Sequence, residues 1–168
     1  METSAIEGEF LNRASVQSSV RRQFGLQTER INSGPAEAGV AEMMVALYQN
    51  YDAPLNSKAM HDWHAMLMNG RRDLQIGEWR SHTEPMQVVS GVVHDPTIHY
   101  EAPASETMPA EMQQFFDWFA NSGDLPMLTR AGIAHFYFVC VHPYEDGNGR
   151  IGRAVAEKAL AQSLEGPS

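Results

Sequence analysis

The sequence predicts a mainly α, single-domain helical bundle around one central helix, with a short β-hairpin set against it. Three observations carry that expectation. Most segments repeat their apolar residues every three to four positions, the spacing of one helix face. One stretch alone, from Met86 to Tyr100, gathers short β-branched runs around a turn. No internal repeat, low-complexity tract or linker interrupts the 168 residues, a length that suits one domain able to bury most of its apolar surface.

Taken in order, Val16, Val20 and Phe24 recur every four residues and Gly25 follows as a stop signal. Pro35 can open a helix at its first position, with Ala41, Met44, Val45, Tyr48 and Tyr51 as its buried stripe. Asn56 or Ser57 can cap a helix carrying Met60, Trp63 and Leu67, which Gly70 would end. Met86-Gln-Val-Val-Ser-Gly, Val92-Val-His-Asp-Pro and Thr97-Ile-His-Tyr then read as a hairpin, and Glu101 to Pro109 as a loop. Met112, Phe115, Phe116 and Phe119 fall at i, i+3, i+4 and i+7, which sets four large side chains on one face. The run Leu125 to Val141 is ambiguous, since its last nine residues suit a strand by composition. As a helix it carries Leu128, Gly132, Phe136 and Val139 on one face and Ile133, Tyr137 and Cys140 on another. A helix apolar nearly all round belongs at the centre of a bundle, and that is the reading adopted.

Composition narrows the function classes. Apolar residues make up 43% and charged residues 20%, which marks a globular rather than a disordered chain. A net charge of −9 argues against nucleic acid as the main partner, because duplex binding needs a basic footprint. The single cysteine, Cys140, allows no internal disulfide. The acidic opening residues lack the order of a signal peptide, and the longest apolar stretch, Ile133 to Val141, is far short of a bilayer span. A cytoplasmic protein with no membrane partner is expected. His61 and His64 stand three apart on one helix with no third ligand at useful spacing, and His135 is expected in the core.

Phosphate chemistry concentrates in His142-Pro-Tyr-Glu-Asp146-Gly-Asn148-Gly-Arg150-Ile-Gly-Arg153. His142 can exchange a proton near neutral pH. Asp146 is a hard oxygen ligand of the kind Mg²⁺ prefers. Gly147, Asn148 and Gly149 permit a turn whose successive N–H groups form an anion nest, and a helix starting near Asn148 would add its positive end. Arg150 and Arg153, three apart, can turn both guanidinium forks to one anion. Gly147-Asn-Gly149-Arg-Ile-Gly152 also matches the dinucleotide fingerprint, but only fifteen residues follow Arg153, too few for the return strand and its ribose-binding acid. No Lys-Ser or Lys-Thr follows the glycines, which excludes a Walker loop.

The whole string resembles the signature of the Fic (Fic/Doc) family, His-x-Phe-x-[Asp/Glu]-Gly-Asn-Gly-Arg-x-x-Arg, with Tyr144 where Phe is usual. Ile133-Ala-His-Phe-Tyr-Phe-Val-Cys-Val is similar to that family's central helix, and Met86-Gln-Val-Val-Ser-Gly with His99-Tyr-Glu-Ala-Pro to its flap hairpin. The resemblance implies a Fic-type bundle over 31–168, with the flap at about 86–100 and the signature loop at 142–153. It also implies transfer of AMP from Mg-ATP to a Ser, Thr or Tyr hydroxyl of a target protein. On that view His142 is the general base and Asp146 holds Mg²⁺ against the α- and β-phosphates. The Gly147, Asn148 and Gly149 backbone with the Asn148 side chain cradles the α-phosphate, while Arg150 grips the β-phosphate and Arg153 the γ-phosphate. The flap, led by Met86, Gln87, Val88 and Val89, adds the target as an extra strand.

Thr3-x-x-x-Glu7-Gly8 resembles the family's inhibitory motif, and Ile6-Glu-Gly-Glu-Phe-Leu-Asn-Arg beside it is also similar to family sequence. The implied arrangement is an N-terminal inhibitory helix and a following helix within 1–30, with Glu7 pairing with Arg153 and denying it to the γ-phosphate. Members of this class commonly carry further N-terminal sequence and more C-terminal helices, some binding the base, so the resemblance does not fix the nucleotide. Relatives that transfer UMP or phosphocholine use a similar signature, and in some members the same Glu supports removal of AMP. A silent interaction module that keeps the fold is the reading from a different class. The target, the oligomeric state (a homo-oligomer included) and whether Ser163-Leu-Glu-Gly-Pro-Ser is an end or a cut stay open.

Overall fold

The computed structural model describes residues 11–26, 34–92 and 95–166. Among them are six α-helices and one two-stranded antiparallel sheet. Helix α1 is Arg13–Gln23, α2 Pro35–Gln49, α3 Ser57–Leu67, α4 Met108–Asn121, α5 Met127–Val141 and α6 Asn148–Ser163; a short 3₁₀ turn, Ser105–Thr107, leads into α4. Strands β1 (Gln87–Val92) and β2 (Asp95–Glu101) pair with a register shift between Val88 and Val89. No helix among the described residues is long and apolar enough to cross a membrane.

Several elements start where the sequence places them. The Asn56 side chain accepts from the Ala59 N–H at 3.0 Å and caps α3, and Pro35 opens α2. Helix α3 ends at Leu67, three residues before Gly70, which takes up a left-handed φ of 92° in the turn beyond. The α4 stripe holds as expected: Met112, Phe115, Phe116 and Phe119 are all buried. Phe115 forms the hub of an aromatic cluster, with Phe138 of α5 at 5.8 Å and Tyr137 edge-on at 5.2 Å.

Three helix faces differ from expectation. In α1 the buried side is Ser15, Val16, Ser18 and Ser19, whereas Val20 is half-buried and Phe24 exposed. Small serines let α1 pack closely on α2. In α2, Ala41 and Val45 are buried as predicted, but Met43 and Leu47 join them while Met44, Tyr48 and Tyr51 are only half-buried. That helix is covered by α1, α3 and α6, so no single stripe describes it. Helix α5 is buried through Arg130, Ala131, Ala134, Phe138 and Val141, against α4 and α6. Its other side leaves Leu128 and Phe136 more than 70% exposed, so the helix is central on one face only. His135, placed in the core by the sequence, is half-buried.

The α5–α6 pair carries the loop of interest. A Cβ on Gly152 would sit 2.9 Å from His135 and 3.0 Å from Val139, so glycine there lets the two helices approach closely. Arg130, almost fully buried, ties the same helices to α4: its guanidinium donates to the Ser122 hydroxyl, the Phe119 and Ala159 carbonyls and the Gln162 amide oxygen.

Candidate active site

Helix α5 stops at Val141 because His142 adopts a left-handed backbone, φ 51° and ψ 58°. The His142 N–H still donates to Phe138 at 3.0 Å, and its carbonyl accepts from Arg80 Nε at 2.7 Å. Arg80 is buried and holds more than this one group. Its own N–H donates to the Pro143 carbonyl at 2.9 Å, while its guanidinium reaches the Ser105 hydroxyl at 2.7 Å and the Pro103 carbonyl. One side chain therefore ties the loop after α5 to the segment that follows β2. The His142 Nδ1 lies 3.3 Å from the Val139 carbonyl. A carbonyl can only accept, so Nδ1 carries the proton and Nε2 is the basic nitrogen.

Tyr144 anchors the loop from beneath. Its ring is fully buried, stacked on His64 at 4.0 Å with 6° between planes, and near Trp79 at 5.0 Å. Its hydroxyl meets His61 Nδ1 at 3.3 Å. His61 and His64 thus form the floor of the loop. Burial drives the His64 pKa down to about 4, only partly offset by the Asp146 carbonyl and charge, so the ring is neutral near pH 7 and its Nδ1 accepts from the Gly77 N–H at 2.9 Å.

Asn148 closes the loop on itself. Its Oδ1 accepts from the Tyr144 N–H at 2.9 Å and its Nδ2 donates to the Tyr144 carbonyl at 2.7 Å. With 2% exposure, the side chain substitutes for a missing piece of backbone ladder and does not open outward. Gly147 stands at the N-cap of α6 with φ 81°, and a Cβ there would run into Met68 and Leu67. The Ile151 N–H donates to the Gly147 carbonyl at 3.0 Å and starts the helix, so the N–H groups of Asn148, Gly149 and Arg150 precede the first intrahelical bond.

Asp146 is the carboxylate of this loop, 41% exposed in its side chain. Its Oδ1 accepts from the Gly147 N–H at 2.5 Å and lies 3.5 Å from Arg150 Nη2; its Oδ2 accepts from Arg71 Nη1 at 2.9 Å. Partial burial pushes the carboxyl up. The Gly147 and Arg71 hydrogen bonds and the charges of Arg150 and Arg71 outweigh that and hold it below the usual carboxylate range. Arg150 is buried, and Arg153, three residues on, is half-buried. Burial and the Arg153 charge together lower the pKa of His135.

The hairpin stands beside this loop. Val88 and Val89 are 59% and 50% exposed, and Gln87 donates across the ribbon to Glu101 at 2.6 Å. The Ala102 N–H donates to Met86, and the Tyr100 hydroxyl donates to the Cys140 carbonyl on α5 at 2.9 Å. A groove of about 510 Å³ runs between hairpin and α5, lined by Met86, Val88, Tyr100, Phe136, Val139 and His142 among others. Thr3, Glu7 and Gly8 lie outside the described residues.

Sequence reasoning missed Arg71, Asp73 and Arg80. All three sit between α3 and β1, where no periodicity singles out a charged side chain from its neighbours.

Residues 54–160 match the model of the Fic/DOC family, and residues 1–26 match a domain of unknown function, DUF4172. A probable protein adenylyltransferase of Aquifex aeolicus is 27% identical over 64 residues, 38% of this chain and 20% of that protein. The protein adenylyltransferase fic-1 of Caenorhabditis briggsae is 34% identical over 62 residues, 36% of this chain and 12% of that one. Among solved structures, a Fic family protein from Desulfovibrio desulfuricans superposes with a TM-score of 0.63 at 26% identity, over 94% of this chain and 45% of that one. A Fic domain containing signaling protein from Bacteroides thetaiotaomicron gives 0.67 at 21% identity, over 94% and 59%, a likeness of fold alone. The chain thus spans 12–20% of these curated relatives and 45–59% of these solved structures, less than two thirds of each. With more than half of its residues under one family model, and the same helical fold in solved members, the chain belongs to the Fic/DOC family.

Proposed function

We propose that the chain is a protein adenylyltransferase, moving AMP from Mg-ATP to a Ser, Thr or Tyr hydroxyl of a target protein. One observation carries the reading: the short turn from α5 to α6 holds a basic ring nitrogen on His142, an ionised carboxylate on Asp146 and a helix N-terminus with two guanidinium groups in its first turns. The adenylyltransferase names of the curated relatives add weight to it.

The step balances simply. His142 Nε2 takes the proton of the target hydroxyl, whose oxygen forms a bond to the α-phosphorus as the bond to the β-phosphate breaks and pyrophosphate leaves. The N–H groups at the start of α6 receive the α-phosphate oxygens, and Arg150 and Arg153 hold the leaving phosphates. Asn148, whose Oδ1 and Nδ2 both bond to Tyr144, shapes this cradle, and its second Nδ2 hydrogen can join the main chain at the α-phosphate. Mg²⁺ fits the donor set, because Asp146 is ionised and partly exposed, and one carboxylate plus phosphate oxygens and water is coordination that ion favours. When bound, it would neutralise charge on the phosphates. The hairpin, with exposed Val88 and Val89 beside His142, offers an edge to the target backbone.

Glu7 acts as the brake by pairing with Arg153, and the protein works in the cytoplasm on protein rather than nucleic acid. Labelling by α-³²P-ATP tests the transfer, its base and its brake in wild type, Glu7→Gly and Glu7→Gly/His142→Ala. Label confined to the single variant is the expected result, with the second substitution removing about 10²–10⁴-fold in rate. Equal labelling of wild type and Glu7→Gly rejects the brake. Label that survives loss of His142 rejects the assigned base.

A further inference from the structure

Arg71, in the turn after α3, makes three short bonds. Nε and Nη2 grip the two oxygens of Asp73 at 2.7 Å each, a fork-to-fork pair. The remaining Nη1 reaches across 75 positions of sequence to Asp146 Oδ2 at 2.9 Å. The two oxygens of Asp146 are therefore treated differently. Oδ1 is fixed by the Gly147 N–H of its own loop and approached by buried Arg150, which sets the rotamer of the carboxylate. Among the described residues, Oδ2 is bonded by Arg71 alone, a side chain 39% exposed at a loop position. Oδ2, partnered by a side chain that is itself half-exposed, is the oxygen a cation from solvent can take by exchange, and Arg71 stands on it.

We propose that Arg71 is the resting counter-ion of Asp146, and that a divalent metal binds by displacing it. The inference rests on the reading of Asp146 as the metal carboxylate. Asp73 is what makes the exchange easy. When Nη1 lets go, the fork remains held by two bonds, so the displaced cation keeps a partner and stays clear of the oxygen it has yielded. The structure thus provides a monovalent occupant for Oδ2 in the absence of metal, and a parking place for that occupant in its presence. It follows that Arg71 works against metal affinity. Replacing it with a neutral side chain removes a competitor, removes a positive charge near the incoming ion, and leaves Asp73 uncompensated close by. All three changes act in the same direction.

The test is a titration with Mn²⁺ alone, read by loss of the free-ion paramagnetic resonance signal, on wild type, Arg71→Gln, Arg71→Lys and Asp146→Asn. Arg71→Gln is expected to tighten binding by about two- to five-fold, the scale of an ion pair at a half-exposed site. Arg71→Lys should fall between it and wild type, since a point charge can cover Oδ2 but cannot grip Asp73 as a fork. Unchanged or weaker binding in Arg71→Gln, with the site lost in Asp146→Asn, overturns the inference and leaves the metal reading intact. No Asp146-dependent site in any of the four proteins overturns the inference. The metal reading, which counts phosphate oxygens among the ligands, falls only if the same titration with a non-hydrolysable ATP analogue present also shows no dependence on Asp146. Circular dichroism melts of each variant confirm that the compared proteins are folded.

Discussion

The signature loop and the hairpin lie side by side and are built on opposite principles. In the loop, Tyr144 is fully buried, Asn148 spans the main chain with both polar atoms, and Arg80 takes the His142 carbonyl from outside. Position there is over-determined. The hairpin is a two-stranded ribbon whose Val88, Val89 and Ile98 are at least half exposed, tied to the body by the Tyr100 hydroxyl on Cys140. Two strands alone are marginally stable in water. A group that must meet a phosphorus atom in line needs the first kind of support, while an edge that accepts another chain needs the second. On the proposed function, the contrast separates the part that would perform the chemistry from the part suited to recognition.

Substitutions that strike the two regions unequally test the contrast. The largest effect is expected from Arg80→Ala, which leaves the His142 and Pro103 carbonyls without their donor. About 3 kcal/mol of stability should be lost, roughly 6–12 °C in Tm by calorimetry. A loss under about 1 kcal/mol would show that the loop holds without this clamp.

Acid is next. The folded pKa of His64 is depressed to about 4, so the folded state refuses a proton that the unfolded chain accepts near its ordinary value of 6.5. The contribution is fully present above pH 6.5 and is lost as pH falls from there towards 4. The expected loss is about 2–3 kcal/mol, read from denaturant midpoints, and it should vanish in His64→Phe. A smaller effect belongs to Tyr144→Phe, which deletes the hydroxyl on His61 Nδ1 and costs about 0.5–1 kcal/mol.

Smallest in stability is Val88→Ser/Val89→Ser, expected within about 0.5 kcal/mol because both side chains are exposed. Its effect should appear as a raised KM for the target with kcat retained. If this pair destabilises the fold as much as Arg80→Ala does, the division between a rigid loop and a permissive ribbon is wrong.

Much of this was legible from pattern. The α4 face could be read because one side of that helix meets the core and the other meets water, which is the condition under which a 3.6-residue period appears. The hairpin was legible from its β-branched runs and turn. The α1 face was not, since serine carries no hydrophobic signal and Ser15, Ser18 and Ser19 are buried for their small size. Helix α5 misled through Leu128 and Phe136, apolar residues that the described neighbours leave uncovered. Within the site, residue types were readable and directions were not. Nothing in the order of residues says that Asn148 turns back onto Tyr144, or that Arg71 reaches Asp146 across 75 positions. Such contacts depend on how distant turns meet, which spacing along the chain does not encode.

The left-handed backbone of His142 has a consequence for reading other sequences. A side chain in that conformation costs about 1–2 kcal/mol that glycine would not incur. Backbone strain alone would therefore favour glycine at this position, and on the proposed function demand for the imidazole opposes that drift. On the proposed function, glycine at this position in chains sharing the fold would mark loss of the base, and a retained histidine would fit selection for the transfer step.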